Sequence, residues 1–222
     1  LVHGDEPLDG LLDAPLGFPL FVKPAREGSG MGINACSLVR DEAALRAQAR
    51  WVIATYRQPA LVETYLPGRE FTVGVVGNRY APGQAPRSDF YDDAGFHVFP
   101  TLELDTQKGA VKGVYNAEAK SYAIDDEAAP GYLCPAEIPS ALEATLRRLA
   151  VAAFEALGAL DVSRVDFRLG GDGQPYLMEA NTLPGLNPLL SDIVIAAKAG
   201  GVPYARLIQE IAALTIERYG LA

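Results

Sequence analysis

The chain has 222 residues, 49% hydrophobic and 21% charged, enough apolar content for one sizeable core or two smaller ones, which excludes disorder for most of its length. Its formal net charge of -9 would repel a polyanion, so nucleic acid is excluded as a partner, short of a local basic cluster. Small anions held in a basic cleft stay open as ligands.

Two cysteines, Cys36 and Cys134, lie far apart with no C-x-x-C pair and no histidine cluster. That argues against a zinc site or a disulfide framework and for reduced, cytoplasmic thiols. No apolar run reaches the length of a membrane span and the N-terminus lacks signal-peptide regions, so no membrane association is expected. Because the chain begins at Leu1 in a stretch punctuated by Pro, Gly and Asp, it is expected to be a piece of a longer protein.

In chain order, Phe18 to Lys23 reads as a short strand running into Pro24, with Ile33 to Val39 as its return strand. Between them, Gly28, Gly30 and Gly32 alternate with Ser29 and Met31. Glycines at this spacing permit positive φ and close backbone approach, so successive N–H groups can point at an anion. A strand rather than a helix is expected to follow, so this is neither a P-loop nor a dinucleotide fingerprint. Lys23 at the strand end favours phosphate cradling over an ordinary flexible turn.

Asp41 is a good N-cap for a helix whose stripe of Leu45, Ala49, Val52, Ile53 and Tyr56 is core packing. Ala60 to Leu66 reads as a buried strand ending at Pro67-Gly68, and Arg69 to Val76 as another, followed by a Gly77-Asn78 hairpin signal. Glu63 and Glu70 bracket the first of these turns; by themselves they read equally as two surface acids. Tyr80 to Ala129 has weak periodicity, as expected of a working loop or lid. Its most pointed piece is Tyr115 to Lys120, although a lone loop lysine is commonly just solvated.

Pro139 to Leu157 is the clearest helix, with Leu142, Leu146, Leu149, Ala153, Phe154 and Leu157 on one side and Gly158 as its stop. Ser191 is a plausible N-cap for a short helix ending at Gly200-Gly201. Pro203 opens a last helix that turns Leu207, Ile208, Ile211 and Leu214 inward. His3 and His97 read as surface or loop imidazoles without a role.

Between the helices of this second half, Arg164 to Leu169 and Tyr176 to Asn181 alternate polar and apolar around Gly170-Gly171-Asp172-Gly173, which predicts an antiparallel hairpin. With the turn centred on Asp172-Gly173, Asp166 lies opposite Glu179 and Arg164 opposite Asn181. Two carboxylates, an amide oxygen and a guanidinium then share one face, and Val165, Phe167, Met178 and Ala180 take the other. Such a face is suited to a hard cation with phosphate beside it, since Mg²⁺ takes oxygen ligands and Arg makes forked contacts to phosphoryl oxygens. A solvated outer face of an edge hairpin is the alternative.

Six stretches in order carry a resemblance: VKPAREGSGMGI (Val22 to Ile33), VETYLPGREFTV (Val62 to Val73), NAEAK (Asn116 to Lys120), CPAEI (Cys134 to Ile138), RVDF (Arg164 to Phe167) and MEANTLPG (Met178 to Gly185). Together they resemble the ATP-grasp portion of D-alanine–D-alanine ligases, from about Phe18 to the final helix. The resemblance implies an α+β, ATP-grasp fold of two lobes, each a β-sheet with packed helices, and a nucleotide cleft between them. Residues 1–68 would form the central lobe, incomplete at its N-terminus. Residues 69–222 would form the C-terminal lobe with the lid loop and metal site.

It further implies ATP and Mg²⁺, or Mn²⁺, as cofactors, and amino acids such as D-alanine as substrates joined through an acyl phosphate for peptidoglycan synthesis. Lys23, Gly28, Ser29, Gly30, Gly32 and Lys120 would hold the phosphates. Glu63 with the backbone of Tyr65 and Leu66 would meet adenine, and Glu70 the ribose. Asp166, Glu179 and Asn181 would hold two Mg²⁺ ions, while Arg164 and the Gly185 N–H would stabilise the transferring phosphoryl group and the later oxyanion. Ser191 and Asn187 would meet the second substrate. Members of this family are often dimers, so a homodimer is expected.

Two stretches depart from the family pattern, Tyr115-Asn116-Ala117 before the lid lysine and Leu186 to Leu190 after Gly185; both fall where the acceptor would sit. The family's N-terminal domain, and a further lysine that contacts the nucleotide, have no counterpart here, so this segment alone is expected to be inactive. Two other functions stay open: a non-catalytic ATP-binding regulatory module, and a ligase of the same fold acting on a different carboxylate.

Overall fold

A computed structural model of the chain describes residues 1–3, 16–28, 30–85, 87–108 and 131–221. The roles expected of Ser29 and Lys120 fall on residues outside those described. The chain divides into two compact units, the first holding Leu1–Pro67 and Thr106–Pro130, the second Gly68–Asp105 and Gly131–Ala222. Among the described residues, no helix is long and apolar enough to cross a membrane.

The first unit contains a three-stranded antiparallel sheet in the order β2-β1-β3, built from β1 (Leu20–Pro24), β2 (Leu38–Val39) and β3 (Ala60–Thr64). Alternation in β1 sends Leu20 and Val22 inward, where they meet Val39, Ala60 and Val62. Helix α1 (Glu42–Tyr56) lays Leu45, Ala49 and Val52 on that cluster. Its start is fixed by Asp41, whose Oδ1 accepts the Ala44 N–H at 2.8 Å, as the sequence predicts. The return strand is far shorter than expected: Ile33 to Ser37 forms turns in which Asn34 and Ser37 bond each other's backbone, and only Leu38–Val39 pairs with β1. β3 likewise stops at Thr64, short of Leu66.

The second unit is a six-stranded antiparallel sheet with helices on both faces. Its strands are β4 (Glu70–Gly77), β5 (Phe96–Val98), β6 (Leu102–Asp105), β7 (Gly131–Leu133), β8 (Val162–Leu169) and β9 (Pro175–Asn181). They run in the order β7-β6-β4-β8-β9, with β5 also on β4. Strands β4 and β8 are central, and their alternation assigns side chains to two layers. Phe71, Val73 and Val75 of β4 join Val165 and Phe167 of β8 beneath α2 (Ser140–Ala156), which contributes Leu146, Ala150 and Phe154. On the opposite face, α3 (Asp192–Ala199) and α4 (Tyr204–Arg218) cover Val76 and Val162 with Ile193, Val194, Ala196, Ala197, Leu207 and Leu214. Full burial of each large apolar side chain in these layers stabilises by ~1.5–3 kcal/mol.

Gly74 sets how closely α3 approaches the sheet. A Cβ there would lie 2.7 Å from Cγ1 of Ile193 and 3.0 Å from Cδ2 of Phe99, so only glycine admits this contact. The Gly77-Asn78 signal does not make a tight turn: Gly77 pairs with Phe96, and the connection from Asn78 to Gly95 intervenes. The Asn78 side chain is used across the fold instead, accepting the Asp161 N–H at 2.9 Å and donating to its carboxylate at 2.8 Å. β5 and β6 lie inside a stretch that reads as patternless in sequence. His97 sits on β5 and is half-buried, its Nδ1 2.6 Å from the Phe90 carbonyl oxygen and its ring stacked on Phe90 at 4.0 Å; it is a packed strand residue and not a surface imidazole.

Candidate functional site

The face of the second sheet left open by α3 carries the chemistry. On β8, Arg164, Asp166 and Arg168 alternate with the buried Val165 and Phe167. Across β4 they pair with Gly74, Thr72 and Glu70; across β9, Arg164 pairs with Asn181 and Asp166 with Glu179. The sequence-predicted register therefore holds at the site, and Thr72, Asp166 and Glu179 form one row with cross-strand Cβ spacings of about 4.5–5.5 Å.

The tip of the hairpin differs from expectation. Leu169 pairs with Pro175 and Phe167 with Leu177, so the turn is one residue tighter than a tip centred on Asp172-Gly173, and Gly170 N–H donates to the Gln174 carbonyl at 2.9 Å. A β-bulge then restores the frame before Glu179. Met178 is the surplus residue and is exposed, where alternation had placed it with Val165 and Phe167.

The Arg164 guanidinium is held on three nitrogens. Nε donates to Asp166 Oδ1 at 2.9 Å, Nη2 to Asp166 Oδ2 at 2.8 Å, and Nη1 lies 3.1 Å from Asp192 Oδ2. Asp166 also accepts the Thr72 hydroxyl. Beside this cluster, Arg168 Nη1 sits 3.3 Å from Glu70 Oε2, and its Nε donates to the Gly68 carbonyl at 3.2 Å. Glu179 is exposed, and its carboxylate makes no hydrogen bond or ion pair among the described residues. Asn181 Oδ1 accepts the Leu183 N–H at 3.0 Å, shaping the turn into Pro184-Gly185.

That turn leads to a loop closed by its own polar groups. Ser191 Oγ accepts the Asn187 N–H at 2.8 Å, and Asn187 Oδ1 accepts the Leu189 N–H at 2.9 Å. A Cβ on Gly185 would lie 2.9 Å from Ser191 Oγ, so Gly185 and Ser191 are neighbours. Ser191 is the N-cap residue of α3, but its hydroxyl serves this loop and not the helix.

In the first unit, Lys23 Nζ lies 2.6 Å from Glu63 Oε1, a diagonal pair across β1 and β3 with both side chains partly exposed. Tyr65 donates its N–H to the Pro19 carbonyl at 3.2 Å and stacks on Phe21, next to Leu66. Gly30 and Gly32 adopt φ of 75° and 76°, the left-handed conformation that the glycine spacing permits. Two loop N–H groups close turns, Met31 to Gly28 at 3.1 Å and Ile33 to Gly30 at 3.2 Å. Gly28 is exposed with open space around it.

Among the described residues no three His, Cys, Asp or Glu side chains converge as a ready metal cage. The candidate set is two adjacent carboxylates and an amide oxygen, all hard donors on one face. It fits Mg²⁺, which usually takes one or two protein carboxylates and completes its shell with water and phosphate oxygens. Arg164, Asp166, Asp192 and Glu179 together carry a net charge of -2, which favours a divalent cation.

Sequence reasoning missed Thr72, Arg168 and Asp192 at this face. Arg168 was available from the alternation that selected Arg164 and Asp166. Thr72 and Asp192 come from other elements and leave no local signal.

The family model for the D-ala D-ala ligase C-terminus matches residues 9–213. A D-alanine–D-alanine ligase of Bordetella petrii is 36% identical over 196 residues, covering 88% of this chain and 52% of that protein. One from Geobacillus thermodenitrificans is 31% identical over 221 residues, covering 97% and 52%. The crystal structure of D-alanine–D-alanine ligase from Bacillus anthracis matches with a TM-score of 0.69 at 27% identity, over 96% of this chain and 59% of that one. The same enzyme complexed with ATP matches with a TM-score of 0.67 at 26% identity, over 98% and 59%. The chain thus spans about half the length of the curated relatives it matches.

Proposed function

Because the chain belongs to the D-alanine–D-alanine ligase C-terminus family, with the ATP-grasp fold, we propose that its parent protein is an ATP-dependent carboxylate–amine ligase. It forms D-alanyl-D-alanine or a close relative through an acyl phosphate, supplying a peptidoglycan precursor. The observation that carries this reading is the shared face of Arg164, Asp166, Glu179 and Asn181 on β8 and β9.

Asp166 and Glu179 would hold Mg²⁺ with the Asn181 amide oxygen, and the metal supplies charge neutralisation at the phosphate oxygens when bound. Arg164, fixed at the adjoining position, offers N–H groups to the phosphoryl oxygens and then to the oxyanion formed when an amine attacks the acyl phosphate. Removal of one such donor typically costs ~2.7–4 kcal/mol of transition-state stabilisation. Gly185, beside Ser191, would add a backbone N–H, and Ser191 and Asn187 would meet the second substrate. From the first unit, Lys23 and the Gly28, Gly30 and Gly32 loop would bind phosphate. Glu63 with Tyr65 and Leu66 would meet adenine and Glu70 the ribose. Placement and charge are enough for this reaction; no covalent nucleophile is needed. The thiols Cys36 and Cys134 are free, in keeping with a cytoplasmic enzyme, and a homodimer is the assembly expected of the parent.

The test is ADP release by the full-length protein with Mg²⁺-ATP and D-alanine, with the dipeptide identified by mass. Asp166→Asn should lower kcat by about a hundredfold or more, as expected for loss of a group in the charge-stabilising cluster. Absence of ADP release with any amino acid tested, alongside intact Mg²⁺-ATP binding, would overturn ligase activity in favour of a non-catalytic nucleotide-binding module.

A further inference from the structure

Asp192 is the first residue of α3 and is 4% exposed, an unusual place for an acid unless it is paired. Its Oδ2 lies 3.1 Å from Nη1 of Arg164, a guanidinium nitrogen separate from the Nε and Nη2 that donate to Asp166. Three features bring it there. Gly74 lies directly across the ladder from Arg164 and lets Ile193 press onto the sheet, so the start of α3 comes down beside the guanidinium. Ile193, Ala196 and Ala197 are fully buried, which fixes the helix in that position. The positive end of the helix dipole favours a carboxylate at this residue.

Asp166 has two demands on it. It holds Arg164 through two bonds, yet it is also the carboxylate that, on the proposed ligase reading, faces a divalent cation. A cation drawing on Asp166 weakens its hold on Nε and Nη2 and shifts more of the anchoring of Arg164 onto Asp192. We propose that Asp192 is a positioning residue that keeps Arg164 aimed at the reacting phosphoryl group when the charge of Asp166 is committed to Mg²⁺. Its carboxylate belongs to a packed helix rather than to the metal row, so it holds Arg164 independently of Asp166.

The test has two parts. In the full-length protein without metal or nucleotide, hydrogen exchange at the Arg164 Nε–H is followed by NMR, the signal being assigned by its loss in Arg164→Lys. Asp166→Asn imitates a carboxylate whose charge is diverted. Adding Asp192→Asn to it should speed exchange by about tenfold or more, the worth of one charge-assisted bond. An unchanged rate overturns the proposal. In the otherwise native protein, Asp192→Asn should lower kcat by about ten- to hundredfold while KM for ATP moves less than about threefold and the melting temperature is nearly kept. A wild-type kcat, or a loss matched by KM and melting temperature, also overturns it. If the wild-type protein releases no ADP at all, the ligase reading falls, and the exchange series alone decides the role of Asp192.

Discussion

Substituting Gly74 by Ala tests whether contact between α3 and β4 is as tight as the geometry requires. The added methyl would sit 2.7 Å from Ile193 Cγ1 and 3.0 Å from Phe99 Cδ2, both on fully buried side chains with no room to retreat. Overpacking of this kind costs ~1–3 kcal/mol, partly offset by the ~0.4–1 kcal/mol that alanine gains by restricting the unfolded chain. A net loss of ~1–2 kcal/mol is expected. Ile193→Ala alone removes buried apolar volume and should cost ~2–5 kcal/mol. In the double variant the clash with Ile193 disappears, the tight contact with Phe99 remains, and the new methyl occupies part of the vacated space. Its cost should therefore fall below the sum of the single losses by ~1–3 kcal/mol. Guanidinium unfolding followed by circular dichroism measures all four corners of the cycle, with amide exchange along β4 as a local check. Additivity within ~0.5 kcal/mol would refute direct contact between the two positions.

Two further predictions concern groups away from the site. Asp161 adopts a φ of 66° and is buried, with its carboxylate accepting from Arg218 at 2.7 Å, Asn78 at 2.8 Å and Thr215 at 3.0 Å. Burial works to raise its pKa, but the bonds from Arg218, Asn78 and Thr215 outweigh it and hold the carboxyl below its ordinary value. A depressed folded-state pKa means the contribution is complete above the unfolded value near 3.8 and is lost as pH falls through the lower, folded one. Acid unfolding of the wild type should therefore steepen in that window, and Asp161→Asn, at a cost of ~1–3 kcal/mol, should flatten it. Asp161→Ala should be worse by ~1 kcal/mol or more, since alanine tolerates the left-handed backbone less well than asparagine; equal losses would count against that backbone argument. Cys134 provides the other check: burial pushes its thiol up to about 11, whereas Cys36 is exposed. At pH 8 a thiol reagent should modify Cys36 well before the half-buried Cys134; equal rates in the native protein would contradict the packing around Cys134.

The parts of the fold that were legible in the sequence are those in which one local period dominates. The alternation of β8 and β9 placed Asp166 opposite Glu179 and Arg164 opposite Asn181; Asp41 marked a helix start through its cap bond, and Ser191 and Pro203 marked the positions of two more, although the Ser191 hydroxyl does not cap α3. The tip of the hairpin was not legible, because Gly170 to Gly173 accommodates turns of more than one length. Gly77-Asn78 misled for a different reason: a residue pair suited to a tight turn was recruited by Asp161, and tertiary hydrogen bonding overrode local preference. Strands β5 and β6 are three and four residues long, too short to show a period. Thr72 and Asp192 reach the site only because β4 and α3 lie against β8, a relation that no single stretch of sequence contains.

The surplus residue at Met178 separates the geometry of the hairpin tip from that of the acidic row. In a ribbon paired in one frame throughout, changing the tip by a single residue would invert every side chain beyond it and turn Glu179 away from Asp166. Here the strand changes frame midway, so the outer end obeys the turn while the inner end obeys β8. Variation at the tip can be absorbed at the bulge, and the orientation of the acids is inherited from the sheet interior.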